Sequence, residues 1–326
     1  MPVAPAPIVE AHGCRIPQIG LGTMTLKGDV CVNAVKDALQ MGYRHIDTAW
    51  FYGNEKEVGE GLRQSGVKRE DIFLTTKVRE THLMGDKFRQ SLDESLANLN
   101  VPQVDLLLIH WNNKDVPFKE SVGSLCKAKK DGLAKHVGVA NFTTTMLDEA
   151  WAVTSEPLVC NQIEVHPYIN QDKVIAASKK HGMAVVAYCP IARGKITNAL
   201  DAIAAAHNKS ATQVSLRYLV QLGLIPIPRT ATPDHQRANL DVFDFKLSDA
   251  EMAELKKLNS ANIRVVSPPH ARCGTRLEQD YRGERRRDSG RRAGHLDAAW
   301  QGMHAVGRAG DCRRLPPLRH RAAVRQ

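Results

Sequence analysis

Asp47-Thr48-Ala49-Trp50-Phe51-Tyr52-Gly53-Asn54-Glu55 places a carboxylate and a phenol five residues apart, where the apolar run His45 to Thr48 gives way to a loop. A short apolar run of this kind reads as a strand buried on both faces. Comparable runs rich in Val, Ile and Leu recur at Ile19 to Gly22, Ile72 to Val78, Val104 to Trp111, His136 to Phe142, Val159 to Val165, Ala184 to Pro190 and Leu224 to Pro228. Helical patterns separate them. Phe88, Leu92, Leu96 and Leu99 form one apolar stripe, and Asp29 and Gly42 bracket Val30 to Met41 as N-cap and C′ residues.

Repeated βα units imply a parallel sheet, either an open doubly wound sheet or a closed (β/α)8 TIM barrel. No GxGxxG follows an early strand and no GxxxxGK[ST] occurs, which favours the barrel. Ser248-Asp249-Ala250-Glu251 reads as a capping box ahead of Met252, Leu255 and Leu258, so a final amphipathic helix is expected. After Pro268-Pro269 the periodicity is lost.

The formal net charge of +10 over 326 residues looks like a nucleic-acid or membrane signal until it is mapped. Residues 272–326 hold 14 Arg, no Lys and 6 acidic groups, a net of +8, whereas residues 1–271 carry only +2. The body of the chain is therefore nearly neutral. Seven cysteines show neither a CxxC pair nor metal-ligand spacing, which argues against a disulfide framework or a zinc site. Met1 to Pro7 is a Pro-rich lead without the regions of a signal peptide, and no apolar run approaches the roughly 18 residues of a membrane helix. A cytoplasmic location is expected, with no metal, membrane or nucleic-acid partner.

Four polar residues close successive predicted strands or follow them directly: Asp47, Tyr52, Lys77 and His110. In a barrel they share the mouth at the C-terminal strand ends, where active sites sit. Singly, each has a bland reading: a solvated lysine, a satisfied core histidine, a packed tyrosine. Together, with Gly42-Tyr43-Arg44-His45-Ile46 before and Val58-Gly59 after the opening segment, they resemble the aldo-keto reductases. The resemblance extends through Leu92 to Leu96, Asp105 to Trp111, Val137 to Phe142 and Asn161 to Tyr168, and covers about Gly20 to Ser267.

The resemblance implies the (β/α)8 barrel, with an N-terminal hairpin over Ile8 to Gln18 plugging its floor, and a catalytic set of Asp47, Tyr52, Lys77 and His110. Carbonyl reduction by hydride transfer builds negative charge on oxygen, so a proton donor must stand close. A free tyrosine, with a pKa of about 10, is a slow donor unless a cation stabilises its phenolate. Lys77 would supply that charge, Asp47 would hold Lys77, and His110 would orient the substrate oxygen.

Further roles follow from the resemblance alone. Asn141 and Gln162 would hydrogen-bond the nicotinamide carboxamide and Tyr188 would stack on its ring, with Thr23, Asp47, Pro190, Gly194 and Ile227 along the cofactor path. Arg229, Thr230, His235 and Asn239 would recognise the adenosine phosphate, and Arg229 matches a 2′-phosphate by its planar fork, so NADPH is expected. Relatives commonly carry Arg and Glu where this chain has His235 and Ala238. Trp50, Phe51, His110, Trp111 and His166 would wall a small carbonyl pocket.

The short turn from Tyr188 to Lys195 and the stretch Ser267-Pro268-Pro269-His270 are most like the bacterial 2,5-diketo-gluconate and methylglyoxal reductases. A monomer acting on small carbonyl substrates is implied. Residues 272–326 form a second segment, an Arg-rich tail foreign to the family, expected to be disordered or the product of a shifted frame. Two rival readings are a cofactor-binding regulatory barrel without significant turnover and a nucleic-acid-associated protein acting through the tail.

Overall fold

The computed structural model describes residues 6–195 and 198–266. The Arg-rich segment and the Ser267 to His270 stretch lie outside them. A hairpin opens the described chain, β1 (Ile8–Ala11) pairing antiparallel with β2 (Cys14–Pro17). Eight parallel strands follow in sequence order: β3 (Leu21–Gly22), β4 (His45–Asp47), β5 (Phe73–Val78), β6 (Val104–Ile109), β7 (Ala134–Ala140), β8 (Leu158–Glu164), β9 (Ala184–Tyr188) and β10 (Ile225–Pro226).

The ring closes between its first and last strands. Gly20 N donates to Pro226 O at 3.1 Å and Gly22 N to Pro228 O at 3.0 Å. Pro226 and Pro228 have no N–H to return, so this seam carries bonds in one direction only, while the alternate residue Ile227 donates its N–H to Ala187 O on the other side. Gly22 is required at the seam, because a Cβ there would lie 2.9 Å from Ile227 O.

The helices run in order α1 (Gly28–Met41), α2 (Glu55–Ser65), α3 (Gly85–Leu99), α4 (Phe118–Lys130), α5 (Thr144–Val153), α6 (Asp172–Lys180), α7 (Asp201–Ala206), α8 (Ala211–Gln221), α9 (Pro233–Leu240) and α10 (Asp249–Lys257). Leu21, Ile46, Leu74, Leu107, Ile109, Val137 and Val139 face outward and pack on them. The alternate residues Leu106, Leu108, Ala140, Cys160 and Val186 face inward, where Ala11, Cys14 and Ile16 of the hairpin join them. The hairpin therefore fills one end of the barrel with apolar side chains, and the polar groups collect at the other.

Local signals hold with one exception. The Ser248 capping box forms in both directions, and Gly42 ends α1 in the left-handed region at φ 119°. Asp29 does not cap α1. The helix starts one residue earlier at Gly28 with Lys27 as N-cap, and Asp29 lies in the first turn, where its charge complements the helix dipole.

His45 is fully buried inside the barrel, edge-on to Phe73 at 5.1 Å, with Nε2 3.3 Å from Thr75 Oγ1. Gly20 makes the room, since a Cβ there would sit 2.8 Å from the imidazole. Burial pushes the His45 pKa down to about 4, with Asp47 and Lys77 acting in opposite directions. The folded state thus binds fewer protons than the unfolded chain. Its stabilising contribution is complete above the free histidine value of about 6.5 and is lost as pH falls through about 4. In urea unfolding at about pH 7 and pH 4.5, the wild type is expected to lose about 2 kcal/mol more than His45→Leu across that interval; equal losses would remove His45 from the account.

Candidate active site

Asp47 and Lys77 end the inward-facing rows of β4 and β5, and both are buried. Lys77 Nζ donates to Asp47 Oδ1 at 2.5 Å and to Thr48 O at 2.7 Å. The second Asp47 oxygen accepts from Gln162 Nε2 of β8 at 2.7 Å. Burial lowers the Lys77 pKa while Asp47 raises it, so the ammonium depends on its partner to remain charged. The same Lys77 Nζ stands 5.2 Å from the centroid of the Tyr52 ring.

Tyr52 ends a single 3₁₀ turn, Trp50–Tyr52, whose backbone is fixed from neighbouring loops. Lys27 Nζ donates to Gly53 O at 2.8 Å and also to Tyr52 O. Asn54 Nδ2 donates to Thr23 O at 2.8 Å and Leu26 O at 3.0 Å, while its Oδ1 accepts from Thr48 Oγ1 at 3.1 Å. Gly53, at φ 57°, turns the chain into α2. There the buried Glu55 accepts from Thr76 Oγ1 at 2.6 Å, directly behind Lys77, and burial raises its pKa.

His110, just past β6, meets the Tyr52 ring edge-on at 5.7 Å between centroids. Burial, then Lys77, then Arg79 hold its pKa well below the usual histidine value, so the imidazole is neutral. The Tyr52 pKa moves opposite to the direction read from the sequence: burial and then Asp47 push the phenol well above 10. Lys77 is already neutralised by Asp47 and sits over the ring. The phenol therefore stays protonated throughout the neutral range.

Around these four residues, Thr23 Oγ1 donates to Asp47 O at 3.0 Å. Asn141, left-handed at φ 64°, donates through Nδ2 to His110 O at 2.9 Å and accepts from Tyr188 Oη at 2.7 Å. An amide has two N–H groups and two acceptor sites, so one of each remains. Gln162 Oε1 makes no hydrogen bond among the described residues. Pro190 and Ile227 are buried and Gly194 is exposed.

Beyond β9 the chain is left-handed at Cys189 (φ 50°) and then at three consecutive residues, Ala192, Arg193 and Gly194. Burial raises the Cys189 pKa, while the charges of Arg193 and Arg229 act in the opposite direction. Arg229 makes no hydrogen bond among the described residues. Thr230 Oγ1 accepts from Thr232 N at 3.1 Å at the start of α9, whose N-cap side chain makes no cap bond. His235 is exposed on the first turns of α9, and Asn239 is buried against the Tyr43 hydroxyl.

Of the expected pocket walls, Trp50 donates from its indole to Glu94 Oε2 at 2.8 Å and packs 4.7 Å from His82, Phe51 is exposed, and Trp111 is half-buried past β6. His166 is not a wall. It is fully buried, its Nδ1 accepts from Tyr168 N at 3.3 Å, and its Nε2 lies 3.2 Å from Glu164 Oε1. Glu164 also accepts from Val265 N at 2.6 Å and Val266 N at 3.1 Å, so the ring and the carboxylate together secure the last described segment.

A family model described as the aldo/keto reductase family matches residues 18–260. Methylglyoxal reductase DkgB of Escherichia coli O157:H7 is 40% identical over 258 residues, covering 78% of this chain and 96% of the relative. Morphine 6-dehydrogenase of Pseudomonas putida is 37% identical, covering 81% and 95%. A crystal structure of a putative 2,5-diketo-D-gluconic acid reductase B aligns with a TM-score of 0.79 at 41% identity, covering 81% of this chain and 95% of that one. A Bombyx mori aldo-keto reductase in complex with NADP aligns at 0.77 and 33% identity, covering 83% and 98%. With a closed eight-stranded barrel, a polar cluster at its mouth and a family match over most of its length, this chain belongs to the aldo/keto reductase family of oxidoreductases.

Proposed function

We propose that this chain reduces small aldehydes and ketones to alcohols with NADPH, Tyr52 giving its proton to the carbonyl oxygen. The observation that carries this reading is the buried Lys77 ammonium, held by Asp47 and the Thr48 carbonyl and lying over the Tyr52 ring. When bound, the dihydronicotinamide supplies the hydride that reduces the carbonyl carbon. Tyr52 releases its proton as negative charge grows on the oxygen, and the nearby ammonium lowers the cost of the phenolate left behind. Neutral His110 orients the same oxygen.

The residues fit the cofactor by the chemistry they offer. Gln162 Oε1 and the remaining N–H and acceptor site of Asn141 suit a carboxamide, and the Tyr188 ring, fixed through its hydroxyl, suits a flat heterocycle. Arg193 and Arg229 suit phosphate, and the uncapped start of α9 offers backbone N–H groups to an anion. The relatives named above for methylglyoxal and diketogluconate support a small polar carbonyl as substrate. No helix among the described residues is long and apolar enough to cross a membrane. The 55 residues from Arg272 onward are assigned no part in this reaction.

Tyr52→Phe is expected to lower kcat for methylglyoxal reduction about 100- to 10,000-fold, the range for losing a general acid. NADPH affinity, read by quenching of protein fluorescence, should change by less than about threefold, because the ring and its packing remain; a variant with wild-type kcat would defeat the acid role. Arg229→Ala should raise KM for NADPH about tenfold or more, the range for a lost charge-assisted hydrogen bond, with little change for NADH. Equal effects on both cofactors would remove Arg229 from the 2′-phosphate site.

A further inference from the structure

Arg79 follows β5 directly, two residues beyond Lys77, and so returns to the barrel mouth on the same side. Its guanidinium carbon lies 4.5 Å from the centroid of the Phe51 ring. Phe51 precedes Tyr52 and its ring stands 6.5 Å from that of His110, whose titration Arg79 also affects. Arg79, Phe51 and His110 therefore form one wall of the reaction site. On that wall Arg79 helps to keep His110 neutral, but its terminal amino groups take no part in the proton chemistry.

Its hydrogen bonding is incomplete in a directional way. Nε donates to Glu80 Oε1 at 3.2 Å, and Glu80 is itself held through its carbonyl by Asn113 Nδ2 at 3.1 Å. Neither terminal nitrogen makes a hydrogen bond among the described residues. An aromatic face on one side and a carboxylate on Nε fix the guanidinium plane and leave its terminal amino groups available. This is the arrangement that takes a carboxylate with little loss of freedom. A cation–π contact alone is worth about 0.5–1 kcal/mol at an exposed site, too little by itself to account for an arginine on this wall.

We propose that Arg79 anchors an anionic group of the substrate, so that the preferred substrates are carbonyl compounds carrying a carboxylate a few bonds from the reacting carbon. This rests on the reductase reading and narrows its substrate class. The reaction is unchanged: hydride adds to carbon, the Tyr52 proton adds to oxygen, and the anion passes through unaltered.

The test compares succinic semialdehyde with its neutral methyl ester, using the full-length enzyme and NADPH. Arg79→Met keeps the stem over Phe51 and removes the charge. The ratio of kcat/KM for acid over ester should fall about 10- to 100-fold, mainly through KM for the acid, as expected for a lost charge-assisted contact. Arg79→Lys should recover part of that ratio, since it restores the charge but not the fork. The wild-type preference for the acid should weaken with added salt, and in Arg79→Met that dependence should vanish, which separates a local anchor from steering by the basic tail. Equal losses on acid and ester would mean that Arg79 only braces Phe51 and would overturn the inference while leaving the reductase intact. A wild type that reduces methylglyoxal but neither of these compounds would overturn this inference alone, and one that fails on methylglyoxal as well would take both readings down.

Discussion

A lysine ammonium with no exposure to water is held in place by one carboxylate and one backbone carbonyl, and the active-site geometry depends on that pairing. Breaking such a buried pair by removing one partner typically costs about 3–5 kcal/mol, because the remaining charge is stranded. Asp47 is in turn held by Gln162 from across the barrel, so three strands converge on two charges. In the proposed reaction Tyr52 and His110 would contribute the proton chemistry, while Lys77 and Asp47 would decide where charge can form.

The barrel makes this convergence possible. Inward-facing residues of β4, β5 and β8 meet at one end, where Asp47 accepts from both Lys77 and Gln162, and the hairpin fills the opposite end with apolar side chains. The loops then fix what the strands cannot. Lys27, Asn54 and Gly53 hold the short turn that presents Tyr52, and the chain after β9 is left-handed at Cys189 and again at Ala192, Arg193 and Gly194. Strained backbone of this kind is concentrated where a ligand has to be met.

Much of this was legible in the sequence because periodicity and strand ends carry it. The eight apolar runs fall on the eight barrel strands within a few residues, and Asp47, Lys77 and His110 lie where those runs end. What stayed hidden depended on long-range contact. Lys27 reads as an unremarkable loop lysine, and only the fold places it on the Tyr52 carbonyl. Arg79 lies directly after a recognised strand, yet the aromatic ring it meets, Phe51, comes from another loop. His166 resembles a pocket residue in sequence but is engaged with Glu164, whose carboxylate also accepts from Val265 and Val266. Asp29 failed as a cap because the helix begins at a glycine that tolerates φ 51°, one residue ahead of it.

Burial also reversed one electrostatic expectation. A lysine near a phenol suggests a depressed tyrosine pKa, but in this mouth burial and Asp47 outweigh it and Tyr52 stays protonated, so in the proposed reaction it would give up its proton only as its acceptor gains charge. The central claim is that Asp47 and Lys77 act as one unit on that event. A double-mutant cycle on kcat with Asp47→Asn, Lys77→Met and the combined variant tests this most directly. The account predicts that the double variant is about as slow as the slower single one; rate losses that multiply would show that the two residues act independently and would contradict it.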